Sequence, residues 1–332
     1  MEHIFVINPV SGTANAQTFL QPAIEKAAKE LSISYQIIQT EHPGHGKEIA
    51  ERFSKTGKPV RFYACGGDGT LNEVLEGTLG HANAETACVP CGSGNDFIRN
   101  FGSKEEFLDL KNLILGESCT IDLIRTQYGI AAAICSAGLD AQVAYGIPKF
   151  RRIPFAGGET AYKLSILTSL CSKLGHKLRI QADGEVFTGE YLMLAICNGR
   201  TYGGGFQAAP QADLQDGLLD LILVKKLSRL RIAGVVSTYQ KGDHLKDGKV
   251  IPELQDVMTY RRVKSVDVEV LDHRPIIVTQ DGECAPRMGL HAKVETNAVR
   301  VTLPRSVCNR SSQLPEGRGM GLCPEDGAAI CR

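Results

Sequence analysis

The stretch from Gly66 to Glu73, Gly-Gly-Asp-Gly-Thr-Leu-Asn-Glu, has the residue types that a nucleotide–metal site needs. Its glycines let the backbone pass close to a bulky anion, and the first amides of a following helix would point at that anion. Asp68 would repel a phosphate group, so a divalent cation between the two is the natural arrangement. On these eight residues alone, an ordinary glycine-rich turn between a strand and a helix stays open as the alternative.

The residues on either side predict the elements that hold this stretch. The preceding residues alternate as in a strand that ends at Cys65, and the following apolar residues recur at helical spacing: Val60, Phe62 and Ala64 before it, and Leu71, Val74, Leu75 and Leu79 after it. The stretch is not a dinucleotide fingerprint, because Asn72 stands where the third glycine belongs. No part of the chain fits the G-x-x-x-x-G-K-[ST] phosphate loop either.

Strands and helices alternate from the N-terminus to about residue 124, which predicts a doubly wound, mostly parallel sheet with helices on both faces. Three turns of small residues follow predicted strands: 8–12, 66–70 and 91–97. Ligands of such sheets bind at the carboxyl ends of the strands, so we expect the nucleotide there. We assign residues 1–124, completed by a strand at about 290–304, to this nucleotide-binding domain.

The pattern of residues 125–289 predicts a largely antiparallel, β-rich second domain that supplies the acceptor cleft. We expect the active site between the two domains. Most segments alternate as strands, including 128–145, and helical patterns interrupt them only around 158–174 and 228–240. Asp183-Gly184 and Asp281-Gly282 are dipeptides typical of tight hairpin turns. Residues 305–332 are rich in Gly, Pro and Ser without periodicity, so we predict a disordered tail there.

The composition excludes several classes of function. Lys and Arg together number 37, as do Asp and Glu, so no net charge favours nucleic acid as a partner. No segment approaches the roughly 20 apolar residues of a membrane span, and the N-terminus does not resemble a signal peptide. The eleven cysteines lie mostly in apolar runs, which is typical of buried thiols in a reducing cytoplasm. We therefore expect a cytoplasmic protein.

Residues 66–74, GGDGTLNEV, resemble the signature of the diacylglycerol kinase catalytic domain, which bacterial soluble lipid kinases share with sphingosine and ceramide kinases. Residues 8–12 look like the family's opening nucleotide-contacting turn, and 92–97 resemble its GTxNDF turn with Ser93-Gly94 in place of Gly-Thr. The resemblance covers the chain up to about residue 304. It implies ATP as the phosphate donor and the following nucleotide-binding residues: Asn8, Pro9, Ser11, Gly12, Thr40, Gly66, Gly67, Asp68, Gly69, Thr70, Asn72, Glu73, Gly92, Ser93, Asn95 and Glu283.

The resemblance also implies two magnesium sites. In this family an aspartate network holds the catalytic ion, and by motif it comprises Asp68, Asp96 and Asp122. Residues 208–218 resemble a loop that holds a structural magnesium in the bacterial soluble branch, with three ligands: Asp213, Asp216 and the carbonyl of Leu218. Hard oxygen donors suit this ion. For the second site, a solvated acidic loop before a strand is the alternative.

Asp281-Gly282-Glu283 matches the family's DGE motif, which implies that Asp281 is the general base and that Glu283 lies near the nucleotide or its metal. With Asp68, these two form the predicted catalytic set. An identical tripeptide begins at Asp183. We choose the later copy because it follows an apolar strand near the return of the chain to the first domain, and we interpret Asp183 as a turn residue.

These motifs together favour an ATP- and magnesium-dependent lipid kinase that converts diacylglycerol to phosphatidic acid. Two alternatives stay open: an NAD kinase-like enzyme with a soluble acceptor, and a silent protein that binds nucleotide and senses lipid. Lys149–Phe155 interleaves basic and aromatic residues and could rest on an anionic membrane, while Gly203–Phe206 could form a lid. We expect a peripheral protein on the inner membrane face, and the oligomeric state is open, a homodimer included.

Overall fold

The computed structural model of the protein describes residues 1–12, 16–92, 94–151 and 158–311. The chain forms two compact units. Unit 1 comprises Met1–Leu123, Asp213–Asp216 and the described residues from Thr296 onward, and unit 2 comprises Ile124–Ala212 and Gly217–Glu295. Three predictions fall outside the described residues: the nucleotide contact of Ser93, the membrane contact of residues 152–155 and the disorder of residues 312–332.

The helices and strands are numbered along the chain. The α-helices are α1 (Ala16–Leu31), α2 (His45–Ser54), α3 (Asp68–Thr78), α4 (Lys104–Leu108), α5 (Leu110–Ile114), α6 (Leu139–Arg151), α7 (Gly158–Cys171), α8 (Arg229–Lys241) and α9 (Arg305–Ser311). The strands are β1 (Glu2–Ile7), β2 (Tyr35–Gln39), β3 (Val60–Gly66), β4 (Ala84–Pro90), β5 (Glu117–Thr126), β6 (Gly129–Ala131), β7 (Ile134–Gly138), β8 (His176–Ala182), β9 (Glu185–Cys197), β10 (Leu219–Lys225), β11 (Leu245–Lys246), β12 (Lys249–Val250), β13 (Met258–Val263), β14 (Ser265–Val270), β15 (Ile276–Gln280), β16 (Glu283–Arg287) and β17 (Gly289–Leu303).

In unit 1, the strands β2, β1, β3 and β4 lie side by side in this order, and all run parallel. The end of β17 adds a further parallel neighbour to β4, with Val301 opposite Thr86. Every residue of β3 and β4 is buried, which is the pattern of strands covered by helices on both faces. The predicted doubly wound, mostly parallel sheet is confirmed.

The polar residues of β3 are buried as well because each has a partner. Arg61 forms an ion pair with Glu85 at 2.8 Å and donates a hydrogen bond to the carbonyl of Ile114 at 2.8 Å. A nitrogen of the His3 ring lies 2.8 Å from the hydroxyl of Tyr63. Burial and the nearby Arg61 charge lower the pKa of His3 to about 4, so the ring is neutral at pH 7. The buried charge of Arg61 is therefore tolerated in the sheet because it is paired.

The prediction of disorder from residue 305 is wrong for its first seven residues, which form α9. Val307 and Cys308 are buried, and Ser306 donates a hydrogen bond to Glu106 at 3.1 Å. The two terminal nitrogens of the Arg310 guanidinium group donate hydrogen bonds to the Glu106 carboxylate, at 2.5 and 3.1 Å. The sequence did not predict α9 because the stability of this helix comes from tertiary contacts and not from an apolar repeat.

The Glu106–Arg310 pair predicts a pH-dependent contribution to stability. The hydrogen bond from Arg310 is the main reason why the pKa of Glu106 falls from 4.5 to about 2. A lowered carboxyl pKa stabilises the fold fully above pH 4.5, and this contribution is lost as the pH falls toward 2. We expect Glu106→Gln to lower the free energy of unfolding by about 1 kcal/mol at pH 7, with the deficit shrinking below pH 4.5.

Urea unfolding of both proteins between pH 7 and pH 3 measures this difference. Glu51→Gln is the matched control, because Glu51 forms an exposed ion pair with Lys55 on α2 and should cost almost nothing. A Glu106→Gln deficit of the same size at every pH would show that the carboxylate charge is not what anchors α9.

Unit 2 is largely antiparallel, as predicted. Its strands follow the order β16, β15, β7, β9, β8, β14 and the first part of β17, and β10 and β13 extend it from β9. Two apolar clusters, one on each side of this sheet, form its core. In the described residues, no helix is long and apolar enough to cross a membrane.

One predicted strand of unit 2 is partly wrong, because the segment 128–145 is only β6 and β7 up to Gly138. Gly138, at φ +105°, ends β7, and α6 follows immediately. Ala141, Val143 and Tyr145 alternate with other residues and so fit a strand as well as a helix, and only packing against α7 and β15 decides between them.

Candidate functional site

The turn after β3 lies at the switch point of the parallel sheet. Because β1 stands between β2 and β3, the turns that follow β1 and β3 flank the place where doubly wound sheets bind ligands. Gly67 precedes α3, whose first residue is Asp68, so the free amides of this helix begin inside the glycine-rich stretch. An anion at this position would meet those amides and the positive end of the helix dipole.

The three small-residue turns of unit 1 touch one another through their backbones. The amides of Cys91 and Gly92 both donate hydrogen bonds to the carbonyl of Gly66, at 2.8 and 3.0 Å. A Cβ atom on Gly92 would lie 2.5 Å from the Cα of Gly67, and one on Gly12 would lie 2.5 Å from the carbonyl oxygen of Cys91. The glycines are therefore needed so that the turns can approach each other.

This close approach predicts that Gly92→Ala disturbs the glycine turn. The added methyl group would meet backbone atoms, which cannot move aside as a side chain can, so the turns must separate. We expect ATP affinity to fall about tenfold or more, since the helix amides shift from the phosphates. Titration with a fluorescent ATP analogue measures the loss. Gly234→Ala on α8 is the control, because Gly234 lies in a helix and a Cβ there meets nothing within 4 Å.

Asp68 and Asp96 face the same small space above this turn. A Cβ on Gly94 would lie 3.0 Å from an oxygen of Asp68 and 4.0 Å from an oxygen of Asp96. The amides of Asp96 and Phe97 donate hydrogen bonds to the Asp68 carboxylate, at 3.2 and 3.3 Å. Two carboxylates around one point fit the oxygen ligands that magnesium prefers.

Asp122, the third aspartate of the predicted network, is held by hydrogen bonds to backbone groups. Asp122 is buried within β5, its carboxylate accepts a hydrogen bond from the amide of Asn297 at 2.8 Å, and its own amide donates to the carbonyl of Leu214 at 2.6 Å. Among the described residues, no three His, Cys, Asp or Glu side chains are arranged to hold a metal ion. Asp68 and Asp96 are thus two carboxylates whose positions fit one magnesium ion, and the part of Asp122 in the network stays a prediction.

The second predicted magnesium site likewise has no cluster of three ligand side chains among the described residues. Asp213 accepts a hydrogen bond from the amide of Gln215 at 3.1 Å, which is a local turn contact within its loop, and Asp216 is exposed. Leu218 lies just before β10. The role of Asp213, Asp216 and the Leu218 carbonyl as ligands stays a prediction.

Several residues that were predicted to bind the nucleotide contact the glycine turn or the strand and turn beside it. The side-chain amide of Asn8 donates to the hydroxyl of Thr70 at 3.1 Å, and the amide of Thr40 donates to the carbonyl of Ile7 at 2.9 Å. Asn95, at φ +52°, donates from its side chain to the carbonyl of Gly92 at 2.6 Å. The remaining residues predicted here lie on the same turns or in the first two turns of α3: Pro9, Ser11, Gly69 and Asn72.

Glu73 has a different environment from the one that the motif suggests. Its carboxylate accepts hydrogen bonds from the amides of Gly44 and Gly46, at 2.7 and 3.0 Å, at the start of α2. Helix α2 has no capping side chain of its own at Gly44, so Glu73 supplies the missing acceptor from α3. In this structure Glu73 holds two helices together next to the turn.

Asp281, in unit 2, occupies a hairpin turn between β15 and β16 and points toward the β6–β7 connection. Its carboxylate accepts hydrogen bonds from three consecutive amides: Ala132 at 2.5 Å, Ala133 at 3.1 Å and Ile134 at 2.8 Å. Such charge-assisted bonds favour the ionised carboxylate, which is the form that a general base requires. Glu283, two residues later, is exposed.

The second Asp-Gly-Glu copy has almost the same local geometry. Asp183 also has a positive φ, and its carboxylate accepts hydrogen bonds from the amides of Lys264 and Ser265, at 2.7 and 2.9 Å. Asp183 is exposed, whereas Asp281 is partly buried. The local contacts therefore explain why both hairpins contain this tripeptide, and they do not by themselves assign chemistry to either.

Sequence reasoning missed Asp140, a buried carboxylate in the first turn of α6. Neither of its oxygens has a hydrogen-bond partner of ordinary geometry among the described residues, and burial raises its pKa to about 6 although Ser136 and Tyr202 lie nearby. The hydroxyls of Ser136 and Thr279, which face each other on β7 and β15, are likewise buried without partners among those residues. The only signal in the sequence is an acidic residue just after an apolar strand.

Comparisons with known proteins cover almost the whole chain. A family model described as diacylglycerol kinase catalytic domain matches residues 2–126, and one described as YegS C-terminal NAD kinase beta sandwich-like domain matches residues 133–303. A protein named diacylglycerol kinase from Staphylococcus aureus (strain bovine RF122 / ET3-1) is 28% identical over 309 residues, which are 92% of this chain and 93% of that protein. One of the same name from Staphylococcus haemolyticus (strain JCSC1435) is 26% identical and covers 92% and 88%.

Solved structures show the same fold at lower identity. The crystal structure of a putative diacylglycerol kinase from Bacillus anthracis str. Sterne gives a TM-score of 0.68 at 19% identity and covers 92% of this chain and 98% of that one. A second structure, of a diacylglycerol kinase from the same strain, gives 0.65 at 17% identity with the same coverage. At this identity the likeness concerns the fold alone.

Proposed function

The chain belongs to the family in which a diacylglycerol kinase catalytic domain is followed by a YegS C-terminal NAD kinase beta sandwich-like domain, and from this we propose that it is a lipid kinase. It transfers the γ-phosphoryl group of ATP to the free hydroxyl of diacylglycerol and produces phosphatidic acid. The observation that carries the proposal is the glycine turn at the switch point of the sheet, with Asp68 and Asp96 beside one small space.

Unit 1 supplies the nucleotide side of the reaction. The free amides at the start of α3 receive phosphate oxygens, and the backbone contacts among the three turns keep those amides in place. Asp68 and Asp96 would hold magnesium, which when bound neutralises phosphate charge. The hydrogen bonds from the amides of Asp96 and Phe97 orient the Asp68 carboxylate before any ligand binds.

Unit 2 supplies the group that takes the proton of the acceptor. Asp281 is held as a carboxylate by three backbone amides, and a carboxylate has about four acceptor positions on its two oxygens. The attacking hydroxyl gives its proton to Asp281 as the oxygen bonds to phosphorus, and the bond between the γ-phosphorus and the bridging oxygen of ADP breaks. Glu283 lies on the same hairpin, and we assign it to the nucleotide or its metal.

We place the lipid substrate in a membrane surface that the protein visits from the cytoplasm. Diacylglycerol has long acyl chains and stays in a bilayer, so its hydroxyl is available only at the interface. A soluble acceptor such as NAD is the second candidate, because the model that matches unit 2 is described as NAD kinase beta sandwich-like.

Transfer of labelled γ-phosphate from ATP separates these acceptors. The assay contains magnesium and offers diacylglycerol, other lipid alcohols in mixed micelles, and NAD in parallel. Label in phosphatidic acid is the expected result. Label only in NADP would show that the acceptor is a soluble molecule. Absence of label from every acceptor, with ATP still bound, would contradict the kinase assignment.

A further inference from the structure

Leu230, in the first turn of α8, is the most exposed large apolar side chain of unit 2 among the described residues, at 89% of its surface. Leu167 on α7 is 58% exposed. The two helices are joined here, because the guanidinium group of Arg229 donates hydrogen bonds to the carbonyls of Leu170 and Ser172, at 2.7 and 3.2 Å. The two exposed leucines therefore lie near the same helix junction, with a cation between the helices.

The charges around this junction are almost all positive. The segment 225–241 contains five Lys and Arg residues and no Asp or Glu. Two carboxylates from other segments neutralise part of it: Asp256 accepts both hydrogen bonds of Arg231, at 2.8 and 2.9 Å, and Glu190 pairs with Lys226 at 2.9 Å. In the part of the chain that the structure describes, Lys173, Lys225 and Arg229 have no carboxylate partner.

The outer face of α8 has little charge. Ile232 and Tyr239 are buried against the unit, and the opposite side of the helix consists of Leu230, Ala233, Gly234 and Ser237, with Lys241 at its C-terminal end, all exposed. A helix on a water-facing surface normally has several charged residues on that side. Here most of the exposed side is apolar or neutral, and the cations stand at its ends and edge, as in helices that lie in a membrane interface.

We propose that this surface, the α8 patch formed by Leu167, Lys173, Lys225, Arg229 and Leu230, docks the protein on an anionic lipid bilayer. The inference rests on the proposed function, which needs contact with a membrane, and it names the face that makes this contact. Leu230 and Leu167 enter the boundary between headgroups and acyl chains, while the three cations of the patch meet anionic headgroups. Two leucines are too little apolar surface for a stable protein interface, whereas a fluid bilayer needs only a few such anchors.

Sedimentation with vesicles tests the α8 patch. The wild type should bind vesicles of phosphatidylcholine with phosphatidylglycerol much more tightly than vesicles of phosphatidylcholine alone. Each basic side chain near an anionic surface strengthens binding about fivefold, so Lys173→Gln with Lys225→Gln should weaken it roughly 25-fold. Leu230→Glu should weaken it about tenfold or more. An acidic residue in the first turn of α8 is compatible with the helix dipole, so the variant should fold.

Val186→Glu is the matched control, because it places the same new charge on an exposed residue of the β8–β9 hairpin in the same unit. It should bind anionic vesicles like the wild type. Equal binding by Leu230→Glu, or equal binding of the wild type to neutral vesicles, would overturn the proposal. So would a change of Leu230→Glu from dimer to monomer in sedimentation velocity, since the patch would then be covered by a second copy of the chain.

Activity on a water-soluble, short-chain diacylglycerol keeps this test separate from the proposed function. The patch variants should phosphorylate that substrate at the wild-type rate and lose rate only on long-chain diacylglycerol in anionic vesicles. If the wild type phosphorylates neither lipid, the kinase proposal fails, and vesicle binding still decides whether the α8 patch is a membrane surface.

Discussion

Asp281→Asn is expected to lower kcat about 10³-fold while ATP affinity stays within about twofold of the wild type. An amide side chain cannot take the proton of the attacking hydroxyl, and the nucleotide turn in unit 1 is untouched by the change. Phosphate transfer to diacylglycerol and titration with a fluorescent ATP analogue measure the two quantities. An Asp281→Asn enzyme that keeps most of its rate would refute the assigned base.

The same substitution also disturbs the fold, and this effect must be separated from the chemistry. The new side-chain amide would present a donor where the carboxylate now accepts from the amides of Ala132, Ala133 and Ile134, which costs about 1–3 kcal/mol of stability. Asp183→Asn is a close control, because Asp183 accepts amide hydrogen bonds in a hairpin of the same type. Both variants should lose similar stability, and only Asp281→Asn should lose activity.

Asp68→Asn is expected to produce the second largest effect. It should raise the magnesium concentration for half-maximal activity by at least 10- to 100-fold, which is the loss that removing even an indirect metal partner causes. The amides of Asp96 and Phe97 bond to different oxygens of Asp68, so the asparagine variant keeps one of these hydrogen bonds and should lose about 1–3 kcal/mol of stability at the other. Activity at several magnesium concentrations, with ATP held constant, gives the shift.

Asp109→Asn is the control for this experiment. Asp109 caps α5 in the same unit by accepting from the amide of Asn112 at 3.1 Å, and asparagine caps helices equally well. It should leave the magnesium dependence unchanged. If Asp68→Asn behaves like this control, the space beside Asp68 and Asp96 is not the magnesium site.

The sequence predicted those parts of the fold that depend on local pattern. The alternation of strands and helices up to residue 124 predicts a parallel sheet, and the small-residue turns fall at its carboxyl end because each follows a buried strand. The family resemblance, carried by residues 66–74 and 92–97, is confirmed by the two family models. Glycine spacing was informative here because a Cβ at Gly66 or Gly92 meets other atoms within 2.5 Å.

What the sequence did not predict depends on contacts between distant residues. Asp122 accepts a hydrogen bond from the amide of Asn297, and no local pattern predicts this contact because the two residues are far apart along the chain. Helix α9 is held by Glu106, about 200 residues earlier, so no local sequence pattern predicts this helix. The two Asp-Gly-Glu copies are alike because a hairpin with an aspartate that accepts backbone amides is a stable unit in both places.

Formation of phosphatidic acid by wild type, Asp281→Asn and Asp183→Asn in one assay tests the central claim most directly. The assay offers ATP, magnesium and short-chain diacylglycerol, which removes membrane binding from the comparison. Our account predicts similar phosphatidic acid from the wild type and Asp183→Asn, and about a thousandth of that rate from Asp281→Asn. Equal rates from all three proteins, or no phosphatidic acid from the wild type, would contradict it.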